Sequence, residues 1–543
     1  MDKQDGKYQT KIIEKYRNRR QNESLDIFNN QDLDSIAFLS QLNIQKLNIR
    51  NCRNFQPTLK SCSITELNLS KCNLSNIDQL QLENVEVLTL SMNVLSSITH
   101  FSRFKKIIEL DLSHNKVEDI SFLYSSRLTK LKLQFNLIQN IQVLSSLKNL
   151  KELDISFNYE ADIKPLQFMG YLTKLRASNC DLQGIDILKE YANLEQLDIS
   201  QCKGVNGLQI ENYSKLVKLR ACNIRSINNN FLKQQENLIE LDLSENAGID
   251  LSFIQHMNKI TKLTLCDNEL KNLCELSKQS NLDNLDLSNN FGIDISLVCN
   301  LVQLKYLNLS DCNIQNLTAL KNLPFLEELD ISTNPGIDIS GLQFLTTLVK
   351  LESQCNDHQN MQALKYLVNL EELDLGNNEA IDITPLQYLT QLTDLQLQYC
   401  YLQEVSSLSP LCNLEYLDLS YNYITYIEPL KKMTQLTELW LNVNKILDVT
   451  EIQQLPYYDQ FVLSEQDEST PREITLANKM HAIYSTISSL RELRIKYVNV
   501  QSVSNSVKSK TTYLLTQQIE DHLQFTNIAT SLFQLLSNNE ALQ

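Results

Sequence analysis

Leucines and other apolar residues recur along this chain at a fixed spacing. The pattern leucine-x-x-leucine-x-leucine-x-x-asparagine or cysteine begins at positions 44, 64, 85, 107, 128 and 150, and then every 22 residues up to 436. The segment 326–334, LEELDISTN, is a typical copy, and a weaker copy begins at 22. We count about twenty repeats over residues 22–457. Repetition at a fixed period of this length predicts a solenoid whose neighbouring repeats share one core.

Each repeat predicts one short strand followed by a turn. Positions three to seven alternate between outward and inward side chains, which is the period of a strand, and the leucines at positions four and six face the core. The asparagine at position nine fits a turn, where its amide can bond backbone groups that the strand no longer serves. The second half of each repeat adds apolar residues beneath the strand. We therefore predict an α/β leucine-rich-repeat solenoid, with a curved parallel sheet on its concave face and short helical or irregular segments outside.

Cysteine replaces the asparagine at the ninth position in several repeats. We assign seven cysteines to this role and interpret them as buried turn residues, because a thiol is small, apolar and a weak hydrogen-bond donor. They are Cys52, Cys72, Cys180, Cys202, Cys222, Cys312 and Cys400.

A 44-residue period lies on top of the shorter one between about 150 and 390. Gly248, Gly292 and Gly336 recur in alternate repeats, where a glycine indicates a backbone angle that other residues resist.

Two repeats are irregular. The repeat at 216 reads as lacking two residues before its turn, and the repeat at 348 carries Ser353 and His358 at normally apolar positions. We expect local distortion of the sheet at both.

Charge and composition narrow the range of partners and compartments. The formal net charge is −16, and residues 22–471 alone carry −22, which argues against general binding to nucleic acid or anionic membrane. No stretch of eighteen apolar residues is present. The thirteen cysteines include no C-x-x-C pair, and the first residues contain no apolar leader. These features predict a cytoplasmic protein, with a nuclear location as the alternative.

Motifs for catalysis are missing from the sequence. The six histidines are scattered and form no zinc-binding pair, and neither a phosphate-binding glycine loop nor a G-x-S-x-G elbow occurs. We therefore predict no enzyme activity, no metal and no cofactor. The prediction is a scaffold or regulatory subunit that binds a protein. The alternative is an assembly protein that oligomerises through its C-terminal helices.

The repeats resemble a known family. With segments such as 162–166, DIKPL, and 382–386, DITPL, they resemble the SDS22-like subclass of leucine-rich-repeat proteins, which shares its repeat form with bacterial internalins. The resemblance covers about four fifths of the chain. It implies a non-catalytic binding protein, and one member of the subclass regulates a phosphatase, so a phosphatase-type catalytic subunit is a candidate partner by resemblance only. No functional residue is carried over.

Both ends of the chain depart from the repeat. Residues 1–21 predict a basic amphipathic helix that caps the first repeat, with a localisation signal as the alternative. Residues 458–471 predict an acidic linker and end cap. Residues 472–543 carry apolar residues at spacings of three and four and predict a helical hairpin or short coiled coil, which could pack on the solenoid or oligomerise.

Charges on the concave face follow two patterns. Between 107 and 225, acids and bases alternate from one repeat to the next, so we expect them to satisfy one another as cross-strand pairs. In the six repeats from 326 to 444, the third and fifth positions hold eight acids opposed only by Lys350. Neighbouring carboxylates there repel one another and give the surface a negative field.

Aromatic residues gather in the same six repeats. Tyr416 and the only tryptophan, Trp440, occupy outward strand positions, and four tyrosines line the edge of the concave face. Tyrosine and tryptophan beside charge are typical of binding hot spots. We therefore predict that a basic segment of a partner protein binds here. The predicted partner-binding residues are Glu328, Asp330, Glu372, Asp374, Asp394, Tyr399, Tyr401, Tyr416, Asp418, Tyr421, Tyr423, Glu438 and Trp440.

Overall fold

A computed structural model gives the structure of the repeats. It describes residues 24–455 except 31–32, 34, 42, 53–56, 61–62, 99–100, 125–126, 182–190, 204–214, 225–231, 359, 447–451 and 454. The predictions for 1–21, 458–471 and 472–543 lie outside the described residues. Within the described part, no helix is long and apolar enough to span a membrane.

Each repeat contributes one strand to a single parallel sheet of twenty strands. Every strand of this sheet pairs with the strand of the next repeat in sequence, so the predicted fold class is confirmed. Two further short strands, β3 and β5, pair with each other. In chain order, the strands are β1 (Ser24–Phe28), β2 (Lys46–Arg50), β3 (Leu59–Lys60), β4 (Glu66–Asn68), β5 (Leu80–Gln81), β6 (Val87–Thr89), β7 (Glu109–Asp111), β8 (Lys130–Lys132), β9 (Glu152–Asp154), β10 (Lys174–Arg176), β11 (Gln196–Asp198), β12 (Lys218–Arg220), β13 (Glu240–Asp242), β14 (Lys262–Thr264), β15 (Asn284–Asp286), β16 (Tyr306–Asn308), β17 (Glu328–Asp330), β18 (Lys350–Glu352), β19 (Glu372–Asp374), β20 (Asp394–Gln396), β21 (Tyr416–Asp418) and β22 (Glu438–Trp440).

Short 3-10 helices form the other half of most repeats. In alternate repeats, Asp250, Asp294 and Asp338 cap these helices by accepting a hydrogen bond from the backbone N–H two residues later. The helices are Ala37–Gln41, Phe101–Arg103, Ser121–Leu123, Gln142–Ser146, Lys164–Phe168, Leu251–His256, Leu276–Lys278, Ile295–Asn300, Thr318–Asn322, Ile339–Phe344, Gln362–Tyr366, Thr384–Tyr388, Ser406–Leu408 and Glu428–Lys432.

The core lies between the sheet and these helices. In every strand from β6 to β22, the central residue is a buried leucine, as at Leu329 and Leu373. Burying one leucine side chain contributes about 1.5–3 kcal/mol. Because the repeat is strict, these contributions recur along one continuous core. The outward residues on either side of each leucine are thereby fixed on the concave face.

A ladder of ninth-position residues joins neighbouring repeats. The amide of Asn290 donates to the carbonyls of Leu265 in the previous repeat and Leu287 in its own, at 2.9 and 2.7 Å. Where cysteine replaces asparagine, the thiol also donates to the previous repeat, but it is a weaker donor. The thiol of Cys312 lies 3.2 Å from the carbonyl oxygen of Leu287. Six of the seven assigned cysteines are buried as predicted; they are Cys52, Cys72, Cys180, Cys202, Cys312 and Cys400.

The assignment of Cys222 to the ladder is wrong. Cys222 stands at the seventh position and is half-buried, and its N–H donates to the hydroxyl of Ser200, the seventh residue of the previous repeat. Ile224 fills the ninth position, where its N–H donates to the Asn246 side chain. No residue is missing before this turn. The apparent gap arises because an isoleucine stands where the pattern requires asparagine or cysteine.

The expected distortion of the sheet at repeats 216 and 348 is also wrong. Strands β12 and β18 keep one-to-one register with both neighbours. At 348 the two polar residues form a hydrogen bond with each other, since the hydroxyl of Ser353 lies 2.7 Å from Nε2 of His358. The predicted backbone angle that other residues resist is confirmed at the three glycines, because Gly248, Gly292 and Gly336 all have a φ of 75°.

Candidate functional site

Outward strand residues form two parallel rows across the concave face. The third row holds the residues at the third position of each repeat, and the fifth row holds those at the fifth. Because the strands are in register, each side chain lies beside its equivalent in the next repeat, about 4.8 Å away. From β17 to β22, the third row reads Glu328, Lys350, Glu372, Asp394, Tyr416, Glu438, and the fifth reads Asp330, Glu352, Asp374, Gln396, Asp418, Trp440.

Three predicted site residues have a structural role as well. Asp330, Asp374 and Asp418 each accept a hydrogen bond from the backbone N–H two residues later, at 2.8–2.9 Å. One carboxylate oxygen thus closes the turn after the strand. The fifth-row aspartates recur every 44 residues from Asp154 onward, so the doubled repeat explains their spacing. The third-row acids close no such turn in the described chain.

The carboxylates of the two rows on β17–β22 are only partly neutralised. Lys350 forms ion pairs with Glu352 and Glu372, at 3.1 and 3.2 Å. Hydrogen bonding to Glu352 raises the pKa of Lys350. Burial, with smaller contributions from Glu352 and Asp394, raises the pKa of Asp374 to about 6. Burial, reinforced by the neighbouring acids, therefore opposes ionisation of Asp374 at the centre of the two rows.

The pKa is raised for further carboxyl groups along the two rows. Burial raises the pKa of Asp330, Asp394 and Asp418, and neighbouring acids add to the effect at Asp330 and Asp394. A cation brought to this surface would relieve the repulsion, because an opposite charge favours the ionised form of each carboxyl. The surface is therefore electrostatically suited to a positively charged ligand.

Two aromatic side chains interrupt the acidic rows. Tyr416 lies between Asp394 and Glu438 in the third row, and Trp440 follows Asp418 in the fifth row. Burial and the surrounding carboxylates, Asp418 first, raise the pKa of Tyr416 to about 12. Trp440 is 37% exposed. An apolar contact surface is thus available beside the carboxylates.

Four tyrosines flank the rows at the turn that follows the strands. Tyr399 and Tyr421 stack with ring centroids 4.2 Å apart, and Tyr401 and Tyr423 lie at 5.7 Å. The ammonium of Lys445 lies over the Tyr423 ring, 4.7 Å from its centroid. The sequence-predicted tyrosines are therefore brought together in two pairs, one at the eighth position and one at the tenth.

The cross-strand pairing expected between 107 and 225 is confirmed for lysines. Lys132 pairs with Asp111 at 3.1 Å, and Lys174 pairs with Glu152 at 3.0 Å. Lys130 lies between two acids, and Lys218 pairs with Glu240 on the next strand. The arginines of β10 and β12 form no close ion pair with a described residue, so the expectation holds for Arg176 only as a longer-range attraction to Asp154 on the neighbouring strand.

Sequence reasoning missed a second aromatic stack. His114, Phe135 and Phe157 stack in sequence at the eighth position, with centroids 4.3 and 4.1 Å apart. Tyr159 meets the edge of Phe157 at 6.3 Å. The signal was present in the sequence, because these aromatic residues stand at equivalent positions of consecutive repeats. Aromatic stacking is thus not restricted to the acidic end.

One contact resembles the nucleophile and base of a hydrolase. The Ser353 hydroxyl lies 2.7 Å from Nε2 of His358. Both side chains are buried in the core, and Nδ1 of His358 has no hydrogen-bond partner among the described residues. A catalytic histidine is normally oriented through its second nitrogen and faces a substrate. This contact is therefore a core hydrogen bond. Among the described residues, no group of His, Cys, Asp or Glu could hold a metal ion.

Comparisons with known proteins agree with the geometry of the repeats. A family model of leucine-rich repeats in two copies matches residues 302–344 and 412–456. The described chain is a leucine-rich-repeat solenoid. No curated protein matches its sequence.

Several solved leucine-rich-repeat structures are similar. TLR13, in a complex with ssRNA13, is 19% identical over 80% of this chain and 73% of that one, with a TM-score of 0.53. An internalin from Listeria monocytogenes is 22% identical over 55% of this chain and 76% of its own, with a TM-score of 0.37. The GASSHO1/SCHENGEN3 ectodomain from Arabidopsis thaliana is 19% identical over 79% and 66%, with a TM-score of 0.43. At these identities the likeness concerns the fold, and the SDS22-like or internalin-like subclass stays a prediction.

Proposed function

We propose that this leucine-rich-repeat protein is a non-catalytic scaffold or regulatory subunit that binds a basic segment of a partner protein. Solenoids of this kind typically use their extended concave surfaces for binding rather than for catalysis. The observation that carries the proposal is the pair of acidic rows on β17–β22, interrupted by Tyr416 and Trp440. We call these strands, with the tyrosine pairs at 399/421 and 401/423, the acidic face.

Electrostatics supports a cationic partner. Burial is the main cause of the raised pKa of Asp374 and Asp394, and repulsion by neighbouring acids adds to it. Lysine or arginine side chains lying across the rows would offset that repulsion, because an opposite charge favours the ionised carboxylate. Exposed charge also steers association, and this steering is screened over about 8–10 Å at physiological salt. Binding to the acidic face should therefore be faster at low ionic strength.

Exposed aromatics would supply the affinity that surface charges alone lack. Exposed ion pairs are worth only about 0–1 kcal/mol each, whereas buried tryptophan and tyrosine anchors dominate many interfaces. Trp440 is partly exposed, and Tyr401 and Tyr423 are 43% and 42% exposed. An aliphatic or guanidinium group of the partner could pack on Trp440 or Tyr401, since cations bind favourably over aromatic faces, as Lys445 already does over Tyr423.

Other partners fit the surface less well. TLR13 is solved with a single-stranded RNA, but a polyanion would meet the unneutralised carboxylates of the acidic face. A phosphatase-type catalytic subunit remains a candidate through resemblance alone. Assembly through residues 472–543 is the alternative function, and solution mass with and without that segment would test it.

The test compares capture of partners from cell extract by three variants. Trp440→Ala removes the indole, and Asp394→Lys with Glu438→Lys reverses the two acids beside Tyr416. Glu118→Lys with Glu404→Lys is the matched control, because it makes the same change in net charge at exposed residues outside the strands. We expect the first two variants to lose the same partners that the control keeps. If every folded variant keeps all partners at full affinity, the acidic face is not the binding site.

A further inference from the structure

Two arginines on the concave face stand apart from the general pairing of charges. Arg176 on β10 and Arg220 on β12 lie in the fifth row on either side of Asp198. Both side chains are exposed, whereas Asp198 is half-buried. Neither guanidinium forms a close ion pair or a hydrogen bond with a described residue, although the longer-range attraction of Arg176 acts to lower the pKa of Asp154 against the larger effect of burial. The lysines that precede them on the same strands do form ion pairs.

The neighbouring aspartates are held at the turn. Asp198 accepts hydrogen bonds from the Ser178 hydroxyl at 2.7 Å and from the Ser200 N–H at 3.1 Å. Asp154 and Asp242, on the outer sides of the two arginines, likewise accept from the N–H two residues later. The carboxylate of Asp198 is therefore half-buried and held by hydrogen bonds to the sheet, whereas both arginine side chains are exposed to a ligand on the concave face.

The two arginines border a depression in the sheet surface. It has a volume of about 100 Å³ and is lined by Lys174, Arg176, Gln196, Asp198, Lys218 and Arg220. The arginine Cα atoms are two strands apart, roughly 9.6 Å at the usual strand spacing. Two extended side chains can converge across that gap on one small anionic group, and the planar guanidinium matches a carboxylate through two parallel hydrogen bonds.

We propose that Arg176 and Arg220 form an anion-binding site for the carboxylates of an acidic segment of a partner protein. The 44-residue period also places Lys174, Lys218 and Lys262 on the alternate strands β10, β12 and β14. Because Lys174 and Lys218 are paired with Glu152 and Glu240, the guanidinium groups of Arg176 and Arg220 are the cations of β10 and β12 that remain without a close ion pair to a described residue. Strands β10–β12 are well separated along the sheet from the acidic face. A partner with one acidic and one basic segment would be held in a single orientation.

A labelled glutamate-rich peptide provides the test. Its binding to the full-length protein is measured by fluorescence anisotropy, for wild type and for Arg176→Gln with Arg220→Gln. Arg127→Gln is the control, because it removes an exposed cation outside the strands. We expect a roughly tenfold or greater loss of affinity in the double variant, as for charge-assisted hydrogen bonds, and none in the control.

Several outcomes would overturn the proposal. These are no binding of the glutamate-rich peptide by wild type, equal binding by the double variant, or a preference for a phosphoserine peptide or a DNA oligonucleotide over the glutamate-rich one. The double variant should also leave binding of an arginine-rich peptide unchanged, because that peptide is expected at the acidic face. Failure at one face is thereby distinguished from failure at the other.

Discussion

The rings of Tyr399 and Tyr421 stack face to face, with centroids 4.2 Å apart and planes 11° from parallel. Both residues have a positive φ, 58° and 55°, at the eighth position of their repeats. The rings of Phe135 and Phe157 adopt the same arrangement at 4.1 Å and 9°, in repeats whose charges are paired. The chain therefore contains two similar stacks in different electrostatic surroundings.

These two stacks allow stability to be separated from binding. Tyr421→Ala and Phe157→Ala each remove one ring at a left-handed backbone position, so each should destabilise the fold by about 0.5–1.5 kcal/mol in urea unfolding. Only Tyr421→Ala should reduce partner capture. Equal loss of capture in both variants would mean that the tyrosine pair has no specific role in binding.

Asp374 should make the fold more stable in mild acid. Its pKa is about 6 in the folded protein against 3.8 ordinarily, so the folded state binds the proton more tightly. Stability should therefore fall as pH rises from about 4 to about 6, by up to about 3 kcal/mol. Asp374→Asn should be more stable than wild type in urea unfolding near pH 7 and lose this dependence. An Asn variant no more stable than wild type would contradict the assignment.

His358 should make the fold less stable as the pH falls, which is the opposite of the effect of Asp374. Burial lowers its pKa to about 4 from 6.5, so the unfolded chain takes up the proton first as pH falls. The corresponding stability is present above about pH 6.5 and is lost towards pH 4. Replacing Ser353 and His358 together by leucine restores the apolar repeat and should flatten the dependence on pH. An unchanged slope of stability between pH 6.5 and 5 would show that His358 is not responsible.

Thiol reactivity tests both the ladder and the compartment. Burial raises the pKa of Cys400 to about 12, and the other ladder cysteines are likewise buried, so alkylation of the folded protein should miss them. The exposed Cys274 and Cys412 should react. After unfolding without reductant, mass measurement should show thirteen modified thiols. A smaller number would indicate disulfides and contradict the proposed cytoplasmic location.

Strict periodicity explains why the fold could be predicted from sequence. Strand side chains alternate with a period of two, so a leucine such as Leu373 fixes which neighbours face outward. The two acidic rows and the tyrosine pairs followed from the same rule. Where the period was read too literally, at Cys222 and at the 348 repeat, the predictions were wrong, because local hydrogen bonds accommodated the irregular residues.

The remaining features depend on details that a repeat pattern does not contain. The hydrogen bond from the Gly376 N–H to Asp374, at 2.9 Å, decides that this carboxylate is partly structural. Arg176 forms no close ion pair with a described residue, although Asp154 and Asp198 stand beside it on the neighbouring strands. Both features depend on which atoms meet across neighbouring repeats. The alternation of charges in the sequence predicts an ion pair at every charged position of these rows and does not distinguish Arg176 from the lysines.

Trp440 offers the most direct test of the acidic face, since it is the only tryptophan in the chain. An arginine-rich peptide titrated into the full-length protein should change its fluorescence saturably, and the effect should weaken as salt rises. Asp394→Lys with Glu438→Lys should abolish the change, whereas Glu118→Lys with Glu404→Lys should preserve it. An unchanged Trp440 signal, or an equal response to a glutamate-rich peptide, would contradict a basic partner at this face.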